Sequence, residues 1–107
     1  MKKHKLSESG ARGWFIGDFP EAVVRTKDFE MNYQMNPKGF DSPIHYHKIV
    51  TEVTLVISGR MVVNGELFES GDIFILEPNE INQTTYIEDC ATVVAKFPSV
   101  PDDKYLV

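Results

Sequence analysis

The segment PIHYHKIVTE, residues 43–52, decides how this chain is read. His45 and His47 stand two apart, and Glu52 follows five residues later. In a strand, residues i and i+2 point the same way, about 6.6 Å apart by two strand rises. Imidazoles at that separation can lean onto one ion at about 2.1 Å per bond. Lys48-Ile49-Val50-Thr51 is enough chain to bend and begin the next strand, so Glu52 can close a triangle with the two rings. Two histidines and one carboxylate leave coordination positions open. That arrangement is expected for non-haem Fe(II) chemistry and also suits Mn, Ni, Co or Zn. The competing reading is metal-free: the same groups bind a small polar ligand, or one imidazole moves protons with Glu52 orienting it.

Outward from this segment the chain reads as strands divided by turns. FEMNYQM (29–35) alternates, with Phe29, Met31, Tyr33 and Met35 on one side, and predicts a half-buried strand whose apolar side is core. Tyr33 and Met35 then line a barrel or fill its closed end. NPKGFDSP (36–43) is a loop by composition. VTLVIS (53–58) is apolar on both faces, which predicts a strand covered on both sides. MVVNGELF (61–68) carries Asn64-Gly65 between apolar pairs, a strong hairpin signal. DIFIL (72–76) and ATVVAKF (91–97) are further strands, the second ended by Pro98 and Pro101. No window keeps a helical period. Short strands at fairly regular intervals imply an all-β antiparallel sandwich or barrel. A single domain is expected over 1–107, with a barrel core at about 22–97, a loosely held leader at 1–12 and a tail at 98–107 lying across a sheet.

The spaced residues Gly39, His45-Tyr46-His47, Glu52 and Gly59 resemble the complete first motif of the cupin superfamily. The resemblance runs from about Phe29 to Phe97. It implies a small jelly-roll, or double-stranded β-helix, with a site in its open end. It also implies that His45, His47 and Glu52 are metal ligands. The second motif departs from the family pattern. Gly71 is followed by six residues before Pro78, Glu80 stands where glycine is expected, and Ile87 stands where asparagine is expected. Gln83 occupies the place of a further ligand histidine, and no histidine follows His47. Gln83 is therefore a weak fourth ligand, a substrate-orienting group or a polar barrel residue, and Asn82 takes its place if the register slips by one. Tyr33, Gln83 and Lys96 are the candidate substrate contacts.

Composition narrows the setting. The chain has 107 residues, 42% hydrophobic, and a net charge of −5. No basic cluster extends beyond the first five residues, which argues against nucleic acid and against an anionic membrane surface. MKKHKL is followed by SESGARG where a signal peptide needs an apolar run, and Cys90 is the single cysteine, so a cytoplasmic protein without disulfides is expected. His4 lies in the basic leader and reads as solvated. Arg25, like Lys96, could face an anionic substrate but more commonly such residues face solvent. Tyr46, between the histidines, reads as packing, and the acids beside Cys90 make a reactive thiol unexpected. Trp14-Phe15-Ile16 reads as a cluster docking onto a sheet. If Glu52 points inward, then Val53, Leu55 and Ile57 form an outward apolar row that the amino-terminal segment or a second subunit could cover, and a homodimer is expected.

These readings converge on a metal-dependent enzyme of dioxygenase, isomerase or lyase type acting on a small oxygen-rich metabolite. The alternative is a metal-free cupin that binds a sugar-like or acidic small molecule, either as a binding module or as a sugar isomerase or epimerase.

Overall fold

A computed structural model describes residues 1–107. Its strands are β1 (Trp14–Gly17), β2 (Val24–Arg25), β3 (Glu30–Asn36), β4 (His45–Tyr46), β5 (Thr51–Ser58) and β6 (Arg60–Val63). They are followed by β7 (Glu66–Glu69), β8 (Ile73–Leu76), β9 (Thr84–Tyr86), β10 (Cys90–Phe97) and β11 (Tyr105–Leu106). Helical structure is confined to the short 3-10 turns Leu6–Glu8 and Ala11–Gly13. No helix is long and apolar enough to cross a membrane.

One sheet has six strands in the order β2-β1-β3-β10-β5-β8, a second has the order β7-β6-β9, and β11 pairs with β4. Neighbouring strands are antiparallel, except that β1 and β2 run parallel. The architecture is a jelly-roll, hydrogen-bonded as separate sheets rather than as one continuous cylinder. The Asn64-Gly65 hairpin forms as read: both residues have positive φ, 50° and 82°, as a tight two-residue turn between β6 and β7 needs. Gly59 turns the chain from β5 into β6 at φ 78°, and a Cβ there would strike the Asp89 carbonyl.

The interior grades from apolar to polar. At the closed end Val56, Met61, Val63 and Cys90 are buried, with Phe68, Phe74 and Tyr86 packed against them. Elsewhere the inward positions are polar: Glu30, Asn32 and Asn36 of β3, Glu52 and Thr54 of β5, Thr84 of β9 and Thr92 of β10 are all buried. Most of these polar groups are satisfied from within. Asn36 donates to the Cys90 carbonyl at 3.0 Å and to Thr92 Oγ1 at 3.1 Å, while Asn32 Oδ1 accepts from the Val94 N–H at 3.2 Å.

This grading inverts the sequence reading of β3. Its apolar residues were expected to face the core. Instead the side bearing Glu30, Asn32, Gln34 and Asn36 faces the interior, while Tyr33 (38% exposed) and Met35 (55%) face outward. The alternation is real, but it assigns the apolar face to the core only where the interior is apolar. On β5, Glu52, Thr54 and Val56 point inward as expected, and the opposite side is less covered than expected, with Ile57 exposed. Outer residues align in rows across four strands. Tyr33 stands opposite Val93, Val93 opposite Leu55, and Leu55 opposite Ile73. The adjacent row is Met31, Ala95, Val53 and Ile75.

Both terminal segments take part in the fold. Trp14-Phe15-Ile16 joins the large sheet as β1, so the sheet begins well before residue 22. Beyond Phe97, the Ser99 hydroxyl donates to Glu30 Oε2 at 3.0 Å, β11 pairs with His45-Tyr46, and Asp103 is buried.

Candidate metal centre

His45 lies on β4, Glu52 opens β5, and His47 stands between them in the connecting loop. All three are buried, and one ligand atom from each can be chosen so that all lie within 4.8 Å of one another. The rings of His45 and His47 meet edge to face, 5.3 Å between centroids. His45 and Glu52 line the cavity at the open end, and His47 sits behind them with Nδ1 3.5 Å from Glu52 Oε2. Tyr46, between the histidines, turns away and packs on Tyr105.

The loop holding these groups is set by the tail. Asp103 accepts N–H bonds from Lys48 at 3.0 Å, Ile49 at 2.8 Å and Val50 at 2.9 Å, which fixes the backbone between His47 and Glu52. Burial alone would raise the Asp103 pKa, but the three N–H donors hold it below the usual carboxylate range. On the other side β9 and its lead-in hold β4. Asn82 exchanges backbone hydrogen bonds with His45, which places their side chains beside each other. Thr84 donates its hydroxyl to Asn82 Oδ1 at 2.5 Å.

The donor set fits a cation. His45 Nδ1 lies 2.8 Å from the Pro43 carbonyl. A carbonyl only accepts, so Nδ1 carries the proton and Nε2 keeps its lone pair. His47 Nε2 and Glu52 Oε2 are buried with no hydrogen-bond partner. Buried polar atoms left unpaired are costly, and a divalent ion held by this group would give such atoms a partner. Electrostatics agrees. Burial lowers both imidazoles, with Lys96 and His45 adding to it at His47, which is lowered to about 4. Burial raises Glu52, against the pull of Lys96 and Lys104. The His47–Glu52 contact is therefore not a pair of fixed charges, and both rings are neutral and ready to ligate near pH 7.

The cavity beyond these groups has a volume of about 200 Å³. Its walls include Asn32, Gln34 and Asn82, and Arg12, Lys96 and Lys104 also line it. Tyr86 also lines it, its hydroxyl pushed up to about 12 chiefly by burial and so a neutral donor.

Of the residues nominated from sequence, His45, His47 and Glu52 come together and Lys96 reaches the cavity. Gln83 does not. It is exposed, and its backbone is tied to Asn64, the N–H to Asn64 Oδ1 at 2.9 Å and the carbonyl to the Asn64 N–H at 2.9 Å. The one-residue slip puts Asn82 in the wall instead. Tyr33 lies on the outer face, and Arg25 pairs with Asp18 at 3.2 Å away from the site. Arg12, Trp14, Asn32, Gln34 and Lys104 were not anticipated in the cavity. The polar side of β3 carried a signal for Asn32 and Gln34. Arg12 and Lys104 come from irregular segments whose path no periodicity reveals.

No family model matches the sequence, and no curated protein matches it. Solved structures do match. A Klebsiella pneumoniae protein with a double-stranded β-helix domain has a TM-score of 0.72 at 19% identity, over 99% of this chain and 91% of its own. The nucleoside dehydratase Pac13, from Streptomyces, has a TM-score of 0.73 at 15% identity, over 100% and 91%. KdgF from a Halomonas species has a TM-score of 0.67 at 21% identity, over 75% and 77%. At these identities the likeness establishes the double-stranded β-helix, or cupin, fold.

Proposed function

We propose that this cupin-fold chain is a metal-dependent enzyme that acts on a small oxygen-rich metabolite. The observation that carries the reading is the buried group His45, His47 and Glu52, whose potential ligand atoms come within 4.8 Å of one another, with His47 Nε2 and Glu52 Oε2 each lacking a hydrogen-bond partner. His45, His47 and Glu52 would hold one divalent ion (Fe, Mn, Ni, Co or Zn), which when bound acts as a Lewis acid, or activates dioxygen if it is iron. Asn82, steadied by Thr84, offers its amide N–H groups to a substrate oxygen. Tyr86 donates a hydrogen bond without losing its proton, and the polar wall of β3 orients hydroxyl or carbonyl groups. A relative named as a nucleoside dehydratase supports elimination as one chemistry this fold houses. The buried single cysteine accords with a cytoplasmic setting.

The test strips the protein with a chelator, reloads it separately with Fe(II), Mn, Ni, Co and Zn, and follows hydroxy acids, keto acids and sugars by NMR. Turnover is expected in a loaded form and absent from the stripped one. Turnover that survives stripping would transfer the chemistry to the metal-free reading. That second reading is favoured by the absence of any imidazole after His47.

The protein is proposed to act as a homodimer. The outer rows of β3, β10, β5 and β8 leave Met35, Ile57, Ile73 and Ile75 between 43% and 59% exposed on one sheet face. A second copy of the same apolar face covers it through a two-fold contact. Sedimentation of the parent is expected to give a dimer, and Ile75→Lys a folded monomer. A monomeric parent whose mass is unchanged in Ile75→Lys would contradict this.

A further inference from the structure

The charged lining of the cavity is positive in a protein that is negative overall. The chain carries −5, yet Arg12, Lys96 and Lys104 line the cavity and Glu52 is the one carboxylate among its lining residues. Neither Arg12 nor Lys104 forms an ion pair with any carboxylate. Lys96 is steadied from behind, its Nζ 4.0 Å from Glu30 Oε1 and 4.9 Å from the centre of the Trp14 ring.

These cations are placed, not merely present. Arg12 adopts φ 58°, a left-handed conformation uncommon for a side chain of its size, and Gly13 follows at φ 79° where a Cβ would collide with the Tyr33 carbonyl. That tight passage carries the chain over β3 and holds Arg12 at the cavity. Gln34, with its amide turned to satisfy both neighbours, accepts from Arg12 Nε and Nη2 at 3.2 Å each and donates to Asn36 Oδ1 at 3.2 Å. Lys104 is set by its neighbour Asp103, which is clamped to the 48–50 backbone. Partial burial against the cavity wall and then the nearby Arg12 and Lys96 charges lower the Lys104 ammonium, a mutual repulsion that an incoming anion relieves.

We infer that Arg12, Lys96 and Lys104 form a carboxylate-binding subsite, which holds the anionic end of a small organic acid whose other end reaches His45 and Glu52. The second half rests on the proposed metal centre, and the first half stands without it. Three cations against Glu52 and Glu30 leave a net of one positive charge, and a divalent ion would raise it to three. A mono- or dicarboxylate therefore suits the site. Carboxylate is favoured over phosphate on charge, since one negative charge balances the net of one, whereas a phosphate group carries about −1.5 to −2 near pH 7. The site has no helix N-terminus long enough to cradle a phosphate, since each 3-10 turn has only three residues.

The test titrates metal-stripped protein with malonate, its neutral analogue malonamide and inorganic phosphate at low and high salt. Arg12→Gln and Lys104→Gln variants are measured beside the parent. Malonate is expected to bind at least about tenfold tighter than malonamide, with each variant weakening malonate about tenfold or more. Both side chains are exposed, so thermal midpoints should not move, and Mn²⁺ binding should be retained. Equal affinity for malonate and malonamide, unchanged variants, or phosphate binding tighter than malonate would each overturn the subsite. Loss of Mn²⁺ binding by the parent with malonate binding intact would remove the metal reading alone.

Discussion

Alanine at Glu52 is expected to lower divalent-metal affinity by at least about 100-fold, since even an outer partner of a ligand is worth roughly 10–100-fold. The same change should not destabilise the metal-free protein. Glu52 is 8% exposed, and its Oε2 has no partner. Burial raises its pKa, so the empty fold carries an unfavourable acid that alanine removes. The expected pattern is thus opposed: metal content by elemental analysis falls, and the thermal midpoint of chelator-treated protein holds or rises. His47→Ala should lose the metal as well. Gln83→Ala is the control, because that side chain is exposed and makes no hydrogen bond, and its affinity should stay within about threefold of the parent. A variant at Glu52 that retained metal while Gln83→Ala lost it would reverse the assignment.

Asp103→Ala is expected to cost about 3 kcal/mol of stability. Three N–H groups at residues 48–50 lose a charged acceptor, one of them on fully buried Val50. Hydrogen bonds to charged groups contribute roughly 1.5–3 kcal/mol each, and partial access of water to the exposed Lys48 and Ile49 recovers part of that. In a domain of this size the loss is about 10–20 °C in Tm. Metal affinity should drop with it, because the clamp fixes the loop between His47 and Glu52. The pH dependence has a definite sign. Asp103 has a folded pKa below its ordinary 3.8, so its contribution is complete above about pH 4 and fades as pH falls through the depressed value. The stability difference between parent and Asp103→Ala should therefore be flat from pH 5 to 8 and shrink below about pH 4. A difference that grew on acidification would contradict the clamp.

The strands were legible wherever the local signal was strong. Asn64-Gly65 marked its hairpin, and β5, β8 and β10 appeared as β-branched runs. The spacing of His45, His47 and Glu52 brought the right three side chains together, although β4 ends at Tyr46 and His47 is carried by the loop that Asp103 holds rather than by the strand. The inside of β3 was misread for a physical reason. Alternation tells which residues share a face, not which face is wet, and here the interior is a polar cavity. Gln83 was misplaced because its register hangs on a turn whose bonds to Asn64 are tertiary. Arg12, Lys104 and Asp103 were illegible because they act from segments outside the strand pattern, brought to the site by the fold of the whole chain.

The most direct measurement of the central claim is an anomalous difference map, at the cobalt absorption edge, from a crystal grown with stoichiometric Co²⁺. One peak is predicted, within about 2.3 Å of a nitrogen of His45, a nitrogen of His47 and an oxygen of Glu52. A map with no peak among these three residues, or with its only peak on the surface carboxylates, would contradict it.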